Sequence, residues 1–284
     1  MQSIKKKSIQ QYIHRLAPIP TSLTPSGTLI PDLRCVLFDI YGTLFISGSG
    51  DISLTGQSSP QMETIRLLLN KYGISKTPRT LLDELHSAVE ARHSELRNKG
   101  IDFPEVRIDR IWQQVLQADD HNTVRQFAVE FELISNPVYP MPNLTDLLSI
   151  CRQRGLLMGI ISNAQFYTPY LFKWFLDSDP QGLGFDSDLI FYSYKFEKAK
   201  PSAALFEMAA EKLMERKLPP ATVLYLGNDM LNDIYPAKMA GFKTALFAGD
   251  KRSLRLRTAD PRCRDLTPDL VVTDLEQLIP LIRE

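Results

Sequence analysis

The sequence predicts an α/β protein with a doubly wound parallel sheet and an all-helical segment inserted into it. Short apolar runs without polar alternation, such as Cys35–Phe38 and Leu156–Ile161, are typical of strands buried on both faces. After residue 141 such runs alternate with helical patterns, as in a parallel sheet covered by helices. Between residues 60 and 135 the apolar residues recur at helical spacing, with no strand pattern among them.

These changes of pattern divide the chain into three parts. Residues 1–33 include a Pro/Ser/Thr-rich connector and form an N-terminal extension, which we expect to be a docking arm or a loose tail. The sheet domain is predicted to comprise residues 34–57 and 141–284. The helical insertion is predicted to comprise residues 58–140. The sequence does not indicate the oligomeric state.

Composition limits the function classes. The 284 residues carry 33 Lys and Arg against 33 Asp and Glu, so no overall field attracts nucleic acid or an anionic membrane. The three cysteines are far apart and fit neither a disulfide framework nor a zinc site, which favours a reducing, cytoplasmic setting. No apolar stretch approaches the length of a membrane span. We therefore expect a small-molecule substrate and neither a nucleic-acid nor a membrane partner.

Polar residues follow several of the predicted strands at the point where each one ends. Asp39 follows the first strand, Ser162 and Asn163 follow the second, and Asn228 and Asp229 follow a later one. Lys200 lies in a further loop. Because ligands bind at the carboxyl ends of parallel strands, we expect these side chains to form one site.

Four segments in this order resemble the four motifs of the haloacid dehalogenase-like (HAD) hydrolase superfamily. They are Phe38-Asp39-Ile40-Tyr41-Gly42-Thr43-Leu44, Ile160-Ile161-Ser162-Asn163, Lys200-Pro201 with Phe206, and Leu226-Gly227-Asn228-Asp229-Met230-Leu231-Asn232-Asp233. The resemblance covers roughly residues 34 to 284, and the combination is far more specific than any one motif. It implies a Rossmann-like core, with the helical insertion as a cap that closes over the site and selects the substrate.

The resemblance also implies a nucleophile and a metal site. Asp39 would attack a small phosphorylated metabolite and form an aspartyl-phosphate intermediate. Magnesium would bind the Asp39 carboxylate, the backbone carbonyl of Tyr41 and the Asp229 carboxylate. Asp233 would not contact the metal itself but would hold either the metal-bound waters or Lys200 in position.

Three further residues would bind the phosphate. Ser162 would donate a hydrogen bond to the phosphoryl oxygens beside the backbone of Asn163, and Lys200 would pair with both the phosphate and the nucleophile. Each residue also has a purely structural interpretation. Ser162 and Asn163 could cap a helix, Lys200 could be solvated, and Asp233 could be a charge at the start of a helix.

Tyr41 departs from the pattern of the family's phosphatases, which carry an acid/base aspartate at this position. A phenol is a poor base at neutral pH, although Tyr41 can still donate a hydrogen bond as a catalytic residue. Tyrosine at this position resembles the 2-haloacid dehalogenases, whose halide leaving group needs no proton, whereas Asp229 resembles the magnesium-dependent phosphatases. Three hypotheses follow: a magnesium-dependent phosphatase, a metal-independent dehalogenase, and a catalytically degenerate member that binds a phosphorylated ligand or a partner.

The substrate itself is not identified by the sequence. Several polar residues of the helical insertion are candidates for reading it: Arg92, Glu95, Arg97 and Arg110.

Overall fold

The computed structural model describes residues 4–28, 32–49 and 59–283. Its main sheet has seven strands in the order β1-β9-β8-β7-β2-β5-β6, and a small sheet pairs β3 with β4. The strands are β1 Ser26–Gly27, β2 Cys35–Phe38, β3 Phe45–Ser47, β4 Val138–Pro140, β5 Leu157–Ser162, β6 Phe185–Tyr192, β7 Val223–Gly227, β8 Lys243–Phe247 and β9 Leu270–Val272. All pairings of the main sheet are parallel except that of β1 with β9. The predicted α/β fold class is confirmed.

The described helices vary from one turn to six. They are α1 Lys6–Ile9, α2 Ser59–Lys71, α3 Pro78–Asn98, α4 Ile108–Leu116, α5 His121–Ser135, α6 Leu144–Gln153, α7 Thr168–Leu176, α8 Ser193–Phe196, α9 Ala204–Glu215, α10 Tyr235–Met239 and α11 Leu278–Arg283. Within the described ranges, no helix combines the length and the apolar character needed to cross a membrane.

The central strand β2 shows why the sheet is covered on both faces. All four of its residues are fully buried. Val36 and Phe38 belong to the apolar cluster on one face, and Cys35 and Leu37 belong to the cluster on the other. Successive side chains of a strand point to opposite faces, so an uninterrupted apolar run requires a helical layer on each side.

Helices α2 to α5 follow β3 and precede β4, and they pack around an aromatic core. Phe127 of α5 is fully buried. Its ring makes edge contacts with Tyr72 and Trp112 at centroid distances of 5.2 and 5.1 Å, and it stacks on Phe131 at 6.3 Å. Such ring pairs stabilise a core beyond the area that they bury. The predicted boundary of this insertion at residues 57 and 58 lies outside the described residues.

The described part of the N-terminal extension lies against both the helical insertion and the sheet domain. The Tyr12 hydroxyl donates to Glu130 of α5 at 3.0 Å. The indole N–H of Trp174, in α7, donates to the carbonyl of Ile4 at 3.0 Å. Farther along, β1 joins the edge of the main sheet. The extension therefore links α5 to α7 in addition to the chain connections between the two domains.

We expect Phe127→Ala to lower the free energy of unfolding by about 3–5 kcal/mol, because it removes a ring that three aromatic side chains contact. Leu67→Ala is the control, since Leu67 of α2 is 55% exposed and its truncation should cost less than about 0.5 kcal/mol. Urea denaturation followed by circular dichroism measures both. A loss below about 1 kcal/mol for Phe127→Ala would contradict this account of the insertion's core.

Candidate active site

The polar residues meet at one edge of the sheet because their strands are neighbours. β2 lies between β5 and β7, and the three strands are parallel and in register. Asp39 therefore follows β2 at the edge of the sheet at which Ser162 ends β5 and Asp229 follows β7. The backbone N–H of Asp39 donates to the carbonyl of Leu226 at 2.9 Å, which continues the ladder to the edge itself.

Lys200 lies at the centre of the site, between two carboxylates. Its Nζ is 2.7 Å from Asp39 Oδ1 and 2.5 Å from Asp233 Oδ1, and its side chain is only 3% exposed. Burial alone would lower the pKa of the ammonium, but the two carboxylates outweigh this and raise it. Lys200 is therefore positively charged and directly paired with Asp39.

Asp233 is held in place by backbone N–H groups as well as by Lys200. Its Oδ2 accepts hydrogen bonds from the N–H groups of Asn228 and Asp229, both at 2.9 Å. It lies in a wide π-helical turn, Met230–Ile234, and its side chain folds back over Gly227. A Cβ at Gly227 would lie 2.4 Å from the carboxyl carbon of Asp233, so only glycine permits this approach. Burial raises the pKa of Asp233 even though Lys200 opposes that effect.

Tyr225 of β7 is a site residue that the sequence did not reveal. Its hydroxyl lies 2.8 Å from the carbonyl of Ile161 and 3.0 Å from Asp233 Oδ1, and it accepts a hydrogen bond from Lys200 at 3.1 Å. Burial raises its pKa far above the ordinary value, which keeps the phenol protonated. In the sequence Tyr225 belongs to an apolar strand pattern, so nothing there suggested a polar role.

Asn163 positions Lys200 through the backbone. Its side-chain oxygen accepts the Lys200 N–H at 2.7 Å, and its side-chain nitrogen donates to the Lys200 carbonyl at 3.2 Å. The neighbouring Ser162 is fully buried, and its hydroxyl lies 3.4 Å from the Asn163 carbonyl. The side chain of Asn163 thus orients the lysine, and the Ser162 hydroxyl makes only this long contact among the described residues.

Thr43 and Asn228 join Asp39 to the neighbouring loop. The Thr43 hydroxyl donates to the side-chain oxygen of Asn228 at 3.1 Å and lies 3.4 Å from Asp39 Oδ2. The side-chain nitrogen of Asn228 in turn donates to the carbonyl of Ser253 at 2.6 Å. Both residues lie within the quoted motifs. Asn228 was predicted to lie at this edge of the sheet without a role of its own, and Thr43 was not predicted as a site residue.

Tyr41 is placed differently from the other predicted residues. Its hydroxyl lies 3.0 Å from Thr168 Oγ1 at the start of α7, and within the described residues it makes no hydrogen bond with Asp39 or Lys200. Burial raises its pKa well above the ordinary value. The Tyr41 side chain is therefore a weaker acid than a free phenol and is engaged by α7, so the structure does not bring it together with the other predicted catalytic groups.

The predicted metal ligands comprise two carboxylates and one backbone carbonyl. Hard oxygen donors of this kind suit magnesium, which binds one or two carboxylates and retains several waters. In the described part of the chain, the carbonyl of Tyr41 accepts no hydrogen bond. The Asp229 carboxylate, however, is contacted by Arg257, whose Nη2 lies 2.6 Å from Oδ2. The donor set fits magnesium, and one of its members is paired with a guanidinium.

The loop between α3 and α4 connects the helical insertion to the site. The N–H of Ala199 donates to the carbonyl of Phe103 at 2.7 Å, directly before Lys200. Of the polar residues predicted to read the substrate, Arg92 contacts this region, because it pairs with Glu197 at 2.7 Å. The insertion therefore contacts the chain on the N-terminal side of Lys200.

Glu105 in the same loop is a partly buried carboxylate that the sequence did not single out. It accepts hydrogen bonds from Ser193 Oγ at 2.7 Å, the N–H of Val106 at 2.9 Å and Gln165 Nε2 at 3.1 Å. Burial raises the pKa of Glu105 to about 7, against the opposing effect of these three donors. Ser193 and Gln165 are far from Glu105 in the sequence and become its neighbours only in the folded chain.

Comparisons with known proteins agree on the type of fold. A family model described as haloacid dehalogenase-like hydrolase matches residues 33–241. No curated protein has a sequence that matches the chain.

Among solved structures, the chain is similar to a 2-haloacid dehalogenase from Pseudomonas syringae pv. Tomato DC3000 (18% identity, 88% of this chain and 98% of that one, TM-score 0.53). It is similar to a HAD phosphatase from Thermococcus onnurineus (17% identity, 88% and 98%, TM-score 0.52). It is also similar to a HAD-hydrolase from Bacillus subtilis bound to magnesium (18% identity, 89% and 100%, TM-score 0.51). At these identities the likeness shows the fold alone.

The raised pKa of Glu105 predicts a pH-dependent contribution to stability. A carboxyl group with a raised pKa keeps its proton in the folded state at pH values at which the unfolded chain has lost it. Its stabilisation is therefore present at low pH and is lost as the pH rises through about 7. Relative to Glu105→Gln, which cannot ionise, the wild-type free energy of unfolding should fall by about 1–3 kcal/mol between pH 5 and pH 8.

Urea denaturation at both pH values measures this difference. Glu207→Gln is the control, because Glu207 is exposed on α9 and its substitution should change stability little at either pH. A wild-type-minus-Gln difference that is the same at pH 5 and pH 8 would contradict the burial of an ionisable Glu105.

Proposed function

The chain belongs to the haloacid dehalogenase-like hydrolase family, and we propose that it hydrolyses a small phosphorylated metabolite through an aspartyl-phosphate intermediate on Asp39. The contact that carries this proposal is the buried ion pair of Asp39 and Lys200. Asp233 pairs with the same ammonium group. The contact of Asp39 with Lys200 holds a carboxylate and a buried ammonium together at one edge of the sheet. A phosphoryl group bound there would meet both.

The reaction would proceed in two displacements. An oxygen of the Asp39 carboxylate attacks phosphorus, the bond between phosphorus and the ester oxygen breaks, and the leaving group departs with the electron pair. Water then attacks the phosphorus of the aspartyl phosphate, which releases inorganic phosphate and restores the carboxylate. Lys200 would balance negative charge in both steps while Asp233 and Tyr225 hold its ammonium in place.

Magnesium is part of this proposal. The Asp39 carboxylate, the Tyr41 carbonyl and the Asp229 carboxylate would hold it, with waters completing the coordination. When bound, the metal would offset the repulsion between the Asp39 carboxylate and an incoming phosphate. The oxygen donors at the strand ends and the magnesium-bound relative from Bacillus subtilis support this assignment.

The position of Tyr41 restricts the leaving group. Its hydroxyl is engaged by Thr168, and its raised pKa makes it a reluctant proton donor. A leaving group that is a weak base departs without protonation, so the proposed substrates are aryl phosphates, acyl phosphates and phosphoanhydrides rather than simple alkyl phosphates.

Dehalogenation of a 2-haloacid is the second candidate, and Tyr41 is the observation that favours it. In that reaction the Asp39 carboxylate would attack the carbon that bears the halogen, and the halide would leave with the bonding electrons. Water would then attack the carbonyl carbon of the resulting ester, and the bond from that carbon to the ester oxygen would break, which releases a 2-hydroxyacid and restores the Asp39 carboxylate. No step requires a proton donor at position 41, and no metal is needed. The third hypothesis is a site that binds a phosphorylated ligand or a partner without turnover. Such binding would depend on the same charged side chains, Asp39, Lys200 and Asp233.

We expect the wild-type protein to release phosphate from p-nitrophenyl phosphate and acetyl phosphate in the presence of magnesium, and to stop when the metal is chelated. Asp39→Asn should reduce the rate by at least about 1,000-fold, because the amide cannot act as the nucleophile. Asp32→Asn is the control, since Asp32 is exposed and outside the site. A phosphate-release assay measures these rates.

Two results would contradict the phosphatase proposal. Halide release from 2-haloacids that is independent of metal and lost in Asp39→Asn, with no phosphate release, would establish the second candidate. Absence of activity on both phosphates and 2-haloacids, together with binding of a phosphorylated ligand, would indicate a non-catalytic member of the family.

Tyr41→Asp should gain activity on phosphates with poor leaving groups, because it supplies the missing acid. We expect the kcat for an alkyl phosphate such as glycerol phosphate to rise on the order of 10–100-fold, and that for p-nitrophenyl phosphate to change much less. Tyr41→Asn is the matched control, since it creates the same space without an acid. An equal gain in the Asn variant, or no gain in either, would show that the leaving group is not limited by protonation at this position.

A further inference from the structure

The contact between Arg257 and Asp229 is unusual for a carboxylate assigned to a metal. The Nε of Arg257 lies 3.2 Å from both oxygens of Asp229, and Nη2 lies 2.6 Å from Oδ2. Oδ1 also accepts hydrogen bonds from the N–H groups of Leu231 and Asn232 at 2.9 and 3.2 Å. A carboxylate has about four acceptor positions, and these contacts use them all.

The loop that carries Arg257 is fastened to the same strand end. The N–H of Arg255 donates to the carbonyl of Asn228 at 3.0 Å, and the N–H of Met230 donates to the carbonyl of Arg255 at 2.9 Å. These two bonds flank Asp229 on either side. Arg257 itself has a left-handed backbone (φ +51°), which is uncommon for a residue other than glycine. The loop is thus built so that the guanidinium reaches Asp229.

The two partners of this pair differ in their exposure to solvent. The side chain of Asp229 is 8% exposed, and its carboxylate is fixed by two backbone N–H groups. The side chain of Arg257 is 35% exposed. Because the Asp229 carboxylate is buried, removing the guanidinium without a replacement would leave an uncompensated charge. A divalent cation that binds Asp229 supplies that charge, and the guanidinium already borders on solvent.

We propose that Arg257 competes with magnesium for the Asp229 carboxylate, so that metal binding must displace the guanidinium. This proposal rests on the proposed function, because it takes Asp229 as a metal ligand. Arg257 then acts as an internal counter-ion that covers the carboxylate until a divalent cation replaces it. The apparent affinity for magnesium is lowered by the competition.

Isothermal titration calorimetry with magnesium chloride as the sole ligand tests this competition. Arg257→Gln should bind magnesium on the order of 10-fold more tightly than the wild type, because the competing charged pair is lost. Arg262→Gln is the matched control. It removes the same charge from the same segment, but Arg262 pairs with Asp260, so it should leave the affinity close to the wild-type value. Asp229→Asn should abolish binding at this site.

A second variant separates competition from an effect on folding. Arg257→Lys keeps the charge and the length of the side chain but lacks the fork that contacts both oxygens, so its affinity for magnesium should fall between those of the wild type and Arg257→Gln. This order of the three affinities would support the proposal.

Three results would overturn it. Equal affinities for the wild type and Arg257→Gln, with binding lost in Asp229→Asn, would reject the competition and leave the magnesium site intact. Weaker binding by Arg257→Gln would show that Arg257 supports the site. Binding by none of the variants would reject both the competition and the metal assignment.

Discussion

The burial of one lysine between two carboxylates is the interaction on which the rest of the site depends. Lys200 Nζ is almost completely enclosed, and without Asp39 and Asp233 its charge would be unpaired. Removing one partner from a buried ion pair typically costs about 3–5 kcal/mol, because it leaves an uncompensated charge. The supporting contacts follow from this constraint. Asn163 fixes the lysine backbone, and Gly227 leaves room for Asp233.

The sheet topology explains why Asp39 and Lys200 can meet although 161 positions separate them. The parallel strands bring their carboxyl ends to one edge, and the helical insertion occupies the gap in sequence between β3 and β4. The same insertion reaches back through Phe103 and Glu105 to the residues that flank Lys200 and Asn163. Hydrogen bonds therefore link the insertion directly to the loop that carries the lysine.

The sequence predicted the parts of the structure that depend on local patterns. The buried strands, the order of the elements and the polar residues after Phe38 and at Ser162 could be read from periodicity and motif spacing. Tyr225, Glu105 and Arg257 could not. Tyr225 lies in an apolar strand pattern, and the other two lie in loops whose residues become neighbours of the site only through tertiary contacts. The direction of the Tyr41 side chain was likewise set by Thr168, which is 127 positions away.

Two features distinguish this site from the pattern of the family's phosphatases: Tyr41 in place of an aspartate, and the contact of Arg257 with Asp229. Both change the formal charge of the site. Asp39, Asp229 and Asp233 contribute three negative charges, and Lys200 and Arg257 contribute two positive ones. Exchange of the guanidinium for a divalent cation would make the group neutral, which favours entry of an anionic phosphate into a site of low dielectric constant. A carboxylate at position 41 would restore one negative charge close to Asp39. The Tyr41 side chain adds no charge, so Lys200 and one divalent ion would neutralise the three carboxylates. An aspartate at this position would keep the group neutral only in its protonated form, which is also the form that can give a proton to a leaving group.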